Sequence, residues 1–179
     1  IPLPAEIQSQ AKLAIKDEYI FDFLELEEQH SEKELEKEIL LKLEVFLREM
    51  GGMFAFIGSQ YRIQVEDEEY FIDLLLFHRA INCLIAVELK IGKFFPEYIG
   101  KMQFYLALLD DFVKQPHENP SIGIILCKSR NKTIVEYALR ESNKPIGVAE
   151  YKIVSTLPEK LKGKLPSPEE ISKLLEEVK

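Results

Sequence analysis

No stretch of this sequence approaches the ~18 uninterrupted apolar residues of a membrane-spanning helix. Nor does it open on the basic, apolar and small-residue pattern of a secretory signal. Cysteine is scarce. Cys83 and Cys127 each sit in an apolar run of strand length, where the thiol behaves as a small hydrophobe. Spaced Cys/His pairs for zinc are missing, and a reducing cytoplasm fits such usage. Glycine is also sparse, at 8 of 179 residues, and there is no internal repeat or low-complexity tract, which excludes repeat architectures and disorder. A basic excess is lacking too: the net charge is −8, which at face value argues against nucleic acid. The distribution qualifies that. Residues 1–50 hold 6 basic and 13 acidic groups, whereas residues 88–150 hold 9 and 8, so the acidity belongs to the N-terminal half. The remainder is free to present a local basic face.

What is present suits one globular domain with appendages: 46% apolar and 30% charged residues. Residues 1–30 read as a helical and aromatic lead-in, 31–155 as the core, and 156–179 as a helical extension. Helical spacing in 2–17 is followed by the aromatic "YIFDFLEL" (19–26), expected to pack the front onto the domain. Ser31 and Glu34 have capping-box spacing ahead of a helix over 32–49 with Leu35, Ile39, Leu43 and Phe46 in its apolar stripe. Gly51-Gly52 ends it. "MFAFIG", "QYRIQV", "YFIDLLLFH" and "INCLIAVEL" predict a meander of strands, with a charged turn at 65–69. Pro96 opens a helix to about Asp110; 121–128 and 147–154 are strands around a short helix at 131–140. Ser167 and Pro168 start a last helix. The fold class is α/β with a mixed central sheet flanked by helices.

Charge in two apolar runs points to chemistry. In "LIAVELK" (84–90), Glu88 and Lys90 are two apart and share a face of the strand. Asp73 stands among Ile72, Leu74, Leu75 and Leu76, where a strand prefers Val or Ile. A hairpin centred between Ala80 and Ile81 sets Asp73 opposite Glu88, with Cβ atoms ~5 Å apart. Two carboxylates at that distance repel unless one is protonated or a cation joins them. A divalent ion, Mg²⁺ or Mn²⁺, resolves the conflict, and Lys90 beside it is placed to orient or deprotonate a water. The turn is the weak link, because "RAIN" lacks Asn-Gly or Asp-Gly chemistry. The competing reading is a surface salt bridge between Glu88 and Lys90.

The ordered blocks "FAFIGSQYRI", "FIDLLLFHRAINC", "AVELKIGKFFPEYIGKMQFYL" and "NPSIGIILCKSRN" resemble the PD-(D/E)XK, restriction-endonuclease-like nuclease superfamily. They are most similar to the C-terminal nuclease domain of YhcG-like bacterial proteins. The resemblance covers about residues 16–152 and implies an αβββαβ core with extra elements. It implies a Mg²⁺-dependent (endo)deoxyribonuclease of the bacterial cytoplasm, with DNA as partner and an N-terminal domain ahead of residue 1. Asp73 and Glu88 become metal ligands and Lys90 the catalytic lysine. Glu36, on the inner stripe of the first helix, is the candidate fourth catalytic group, with Glu34 and Glu38 its rivals. Relatives often carry a glutamine four residues before a tyrosine on the next helix; here Tyr105 is preceded by Lys101, with Gln103 nearby. Gln60 is a further accessory candidate. Lys93, Lys101, Lys128, Arg130 and Lys132 are expected to form a basic rim for phosphates. The alternative is a catalytically silent nucleic-acid- or protein-binding module of the same fold within a larger assembly. Self-association is left open.

Overall fold

In a computed structural model, residues 5–153 and Leu175 are described. The expected C-terminal helix from Ser167 lies outside the described residues. The elements run α1 (Ala5–Ala14), β1 (Glu18–Ile20), α2 (Glu32–Leu41), α3 (Leu43–Met50), β2 (Phe54–Val65), β3 (Glu68–His78), β4 (Cys83–Leu89), α4 (Glu97–Leu108), a π-helical turn (Leu109–Val113), β5 (Asn119–Cys127), α5 (Lys132–Arg140) and β6 (Ile146–Lys152). The sheet has the order β1-β6-β5-β4-β3-β2. β2, β3 and β4 are antiparallel, and β4, β5, β6 and β1 run parallel.

Alternation along β4 explains why its apolar run is nearly continuous. Cys83, Ile85, Val87 and Leu89 join a cluster under α2 and α3, built from Leu35, Ile39, Phe46 and Met50. Leu84 and Ala86 join the opposite cluster under α4 and α5, with Met102, Leu106 and Val135. A strand covered on both faces needs apolar residues at every position, so a carboxylate at Glu88 is out of place unless it has a task.

Two local details depart from the sequence reading. The helix expected over 32–49 is broken at Lys42, whose backbone leaves helical angles (φ −120°, ψ 39°). The Lys42 ammonium donates to the Phe23 carbonyl at 2.8 Å. "MFAFIG" and "QYRIQV" form one strand rather than two, because the Gly58 region is absorbed as a bulge between Phe56 and Gly58. The lead-in is stitched to the far edge of the sheet. β1 pairs with β6, and Phe21 packs on Tyr151 and Phe46 with ring centroids 5.6 and 5.5 Å apart. The capping box forms as expected, with Ser31 Oγ accepting from the Glu34 N–H at 3.0 Å.

Gly123, in the middle of β5, sets how closely α4 lies on the sheet. A Cβ there would meet Met102 Cγ at 2.5 Å, and Met102 is fully buried. Gly123→Ala is therefore expected to cost about 1–3 kcal/mol by overpacking. Urea unfolding checks this: a loss under ~0.5 kcal/mol would show that Met102 swings aside freely.

Candidate functional site

The β3–β4 hairpin has the register expected from the sequence. His78 stands opposite Cys83, and the pairing runs to Leu74 opposite Val87, so the next facing pair is Asp73 and Glu88. The turn succeeds without Asn-Gly because Asn82 takes the left-handed conformation (φ 57°), which asparagine tolerates. Its N–H donates to the His78 carbonyl at 2.8 Å. Ile81 is buried and its N–H donates to His78 Nδ1 at 3.1 Å, so His78 shapes the turn. Burial lowers the imidazole pKa, in keeping with a neutral acceptor.

At Asp73 and Glu88, strand pairing passes from backbone to side chains. The Asp73 N–H donates to Glu88 Oε1 at 3.3 Å, and the Leu89 N–H donates to Asp73 Oδ2 at 2.8 Å. Each carboxylate thus reaches across to the other strand's backbone. The alternation along β3 slips at the same place: Ile72 and Leu75, three residues apart, both join the cluster under α4.

Glu88 is only 4% exposed. Burial, then the charge of Asp73, pushes its carboxyl pKa up to about 7, while Lys101, the Asp73 amide and Lys90 pull it back. Lys101 Nζ lies 3.8 Å from Glu88 Oε2. Tyr105, one turn on, is buried, and its hydroxyl is pushed up to about 12 by burial and by Glu88 and Asp73. Lys101 and Tyr105 thus both stand near the acids. Gln103, two residues further, points about 200° round the helix from Lys101. Lys90 Nζ sits over the Tyr98 ring, 4.8 Å from its centroid.

The bulge in β2 is what brings Gln60 in. Ser59 pairs with Leu74 and Tyr61 with Ile72, so Gln60 falls opposite Asp73. Its backbone is left-handed (φ 43°), an uncommon conformation outside glycine. Its amide donates to Asp73 Oδ1 at 3.1 Å and to Glu36 Oε2 at 2.8 Å. Burial, the leading cause, and Asp73 raise the Glu36 pKa against the Gln60 hydrogen bond. The rivals of Glu36 have other partners: Glu34 completes the capping box, and Glu38 pairs with Lys42 at 3.5 Å. A cleft of about 700 Å³ lined by Lys33, Glu36, Lys37, Leu40, Gln60 and Asp73 opens onto this side.

The basic rim divides. Lys93 bridges to Ser129 beside the end of β4, and Lys101 stands at the acids. Lys128 donates to the Glu28 carbonyl, and Arg130, only 10% exposed in its side chain, pairs with Asp17 at 3.4 Å. Both tie the lead-in to the core. Lys132 is exposed at the start of α5. The Lys101–Glu88 pair and the position of Tyr98 under Lys90 leave no signal in sequence spacing, because both depend on how α4 docks.

A mixed sheet with helices on both faces, an acid on one antiparallel strand and Glu-x-Lys on the next define a restriction-endonuclease-like nuclease domain. Comparison with known proteins agrees. The family model described as "YhcG PDDEXK nuclease domain" matches residues 12–166. The chain belongs to that family. It is 37% identical over 150 residues to the Escherichia coli (strain K12) protein named "Putative nuclease YhcG", covering 84% of this chain and 40% of that one. It thus spans about 40% of the length of that relative. Among solved structures, a repair endonuclease from Pyrococcus abyssi matches with a TM-score of 0.47 at 14% identity, over 70% of this chain and 49% of that one. An EndoMS–dsDNA complex matches with a TM-score of 0.49 at 15% identity, over 75% and 50%.

Proposed function

We propose that this domain is a divalent-metal-dependent deoxyribonuclease that hydrolyses phosphodiester bonds of DNA in the bacterial cytoplasm. The observation that carries the reading is the crossed pair Asp73 and Glu88, two facing carboxylates, one of them buried, with lysines beside them. Their oxygen donors fit a hard dication such as Mg²⁺ or Mn²⁺. Such an ion would stabilise the charged carboxylate against the burial, and then the Asp73 charge, that raise the Glu88 pKa. Among the described residues no three His, Cys, Asp or Glu side chains stand together as a ready metal cage. Asp73 and Glu88 would hold the ion, with Glu36 reaching it through the Gln60 network. When bound, it polarises a phosphate oxygen and lowers the pKa of a coordinated water.

The chain's own groups do the rest. Gln60 and the Leu89 N–H fix the two oxygens of Asp73. The Asp73 N–H orients Glu88. Lys90 holds the attacking water and offsets negative charge that builds on the phosphoryl group. Lys93 and Lys101 attract the backbone phosphates, so binding falls steeply with salt. The partial coverage of the Escherichia coli relative supports further sequence beyond this domain in the whole protein.

The deciding experiment incubates several forms of DNA with Mg²⁺ or Mn²⁺ and compares wild type with Asp73→Ala, Glu88→Ala and Lys90→Ala. Cleavage by wild type alone is expected. Equal residual activity in all four would reveal a contaminating nuclease and remove the site.

One observation favours a catalytically silent binding module: the Lys101 ammonium already offsets the charge on Glu88. The two readings separate at Lys101→Met. If the pair serves as a metal site, removing a positive charge near a dication tightens Mn²⁺ binding about tenfold, by the Coulomb repulsion relieved. Calorimetry that finds no Mn²⁺ binding in either protein favours the silent module.

A further inference from the structure

The segment directly after Lys90 carries a feature that the metal-site reading does not use. Lys90 Nζ lies 4.8 Å from the centroid of Tyr98. Tyr98 meets Phe95 edge-on, with centroids 5.7 Å apart and planes at 85°. Lys93 Nζ lies 5.1 Å from the centroid of Phe95. Two adjoining rings are therefore flanked by cations, running outward from the proposed catalytic lysine: Lys90, Tyr98, Phe95, Lys93. Phe95 is 40% exposed although phenylalanine is among the residues most often buried, and Ile91 in the same loop is also exposed.

The array is held in place. Phe94 is buried and packs edge-on against Tyr98 at 6.1 Å. Its N–H donates to the Ser129 carbonyl at 2.9 Å, and the Lys128 N–H donates to the Gly92 carbonyl at 3.0 Å. Holding the exposed Phe95 ring and the half-buried Tyr98 ring in position lowers the ordering cost of binding. Duplex DNA offers phosphates to the lysines but keeps its bases stacked on one another. Unpaired nucleotides offer both phosphates and free base faces, and stacking on an aromatic ring is worth about 1–3 kcal/mol per base.

We propose that Phe95 and Tyr98, flanked by Lys90 and Lys93, form a stacking platform for unpaired nucleotides, so that the domain's substrate is DNA with a single-stranded part, such as a fork or flap. The proposal deepens the nuclease reading and rests on it for the choice of DNA as ligand. Its test reads binding, so the two fail separately. Fluorescence anisotropy of the 179-residue chain in EDTA compares a single strand, a duplex and a forked duplex of equal length, using wild type, Phe95→Ala, Phe95→Trp and Lys93→Ala.

Wild type is expected to bind the single strand and the fork about tenfold more tightly than the duplex. Phe95→Ala loses about that factor on the single strand and fork and leaves duplex binding unchanged, and Phe95→Trp restores it. Lys93→Ala weakens all three and lowers the salt slope on single strands by about 0.7. Equal affinities for the three DNAs overturn the platform, as does a Phe95→Ala loss that is the same on each. If the preference and its dependence on Phe95 hold while Mg²⁺ brings no cleavage, the platform stands and the nuclease reading falls.

Discussion

Glu88→Gln is expected to remove DNA cleavage by about a thousandfold or more while making the metal-free protein more stable. The two effects have one cause. Glu88 is 4% exposed, faces Asp73, and has a carboxyl pKa of about 7 against an ordinary 4.5. In the folded protein its charge is costly; in the unfolded chain it is not. With the folded pKa raised, stability is highest below the unfolded value, near pH 4.5, and is lost as pH rises through about 7. The full rise corresponds to about 3 kcal/mol. Glutamine keeps an oxygen to accept from the Asp73 N–H and drops the charge. Allowing for the lost pair with Lys101, the gain at pH 8 in EDTA is about 2 kcal/mol, or roughly 4–8 °C in Tm for a chain of this size. Activity falls because a neutral amide is a poor ligand for a hard dication, and several kcal/mol of transition-state stabilisation goes with the ion. Thermal melts at pH 5 and pH 8 with and without Mn²⁺ check the sign. A variant that melts lower than wild type at pH 8 without metal would show that the Glu88 charge is not strained.

Lys90→Met is expected to lower the single-turnover cleavage rate by about 10²–10³-fold without weakening Mn²⁺ binding, since a positioned proton-transfer or charge-stabilising group contributes on that scale. Lys90 contributes charge at Glu88 but is no ligand, so its loss leaves both carboxylates in place and removes a positive charge from their surroundings. Methionine keeps a long apolar stem against Tyr98. The split matters: a residue that only held the fold would lower rate, affinity and stability together. Parallel losses in Mn²⁺ affinity and rate would make Lys90 a structural group, and a rate within tenfold of wild type would end its catalytic role.

Much of the fold and of the site is legible in the order of residues. β4 and β5 announce themselves because burial on both faces makes their runs nearly continuously apolar, which is also what makes Glu88 conspicuous in β4. The hairpin register follows from counting residues outward from the turn and is the one observed. The helix start at Ser31 follows from a contact between residues three apart. The break at Lys42 is not legible, since it coincides with the Phe23 carbonyl, 19 residues away, accepting from the lysine. The bulge before Gly58 reads as a gap between strands, because only a partner strand distinguishes an extra residue from a break.

The sequence by itself determined the facing of Asp73 and Glu88 and the lysine two residues on, since these depend on side-chain alternation and hairpin pairing, whose periods are set by covalent geometry; the family followed from the resemblance of its ordered blocks. Only the tertiary structure decided which helix carboxylate joins them, that Gln60 links it to Asp73, that Lys101 meets Glu88, and that Lys128 and Arg130 are taken by the lead-in. Those choices turn on how α2, α4 and the segment before Ser31 dock onto the sheet. Docking is set by packing between residues tens of positions apart, as where Gly123 lets Met102 settle, and no local period encodes it.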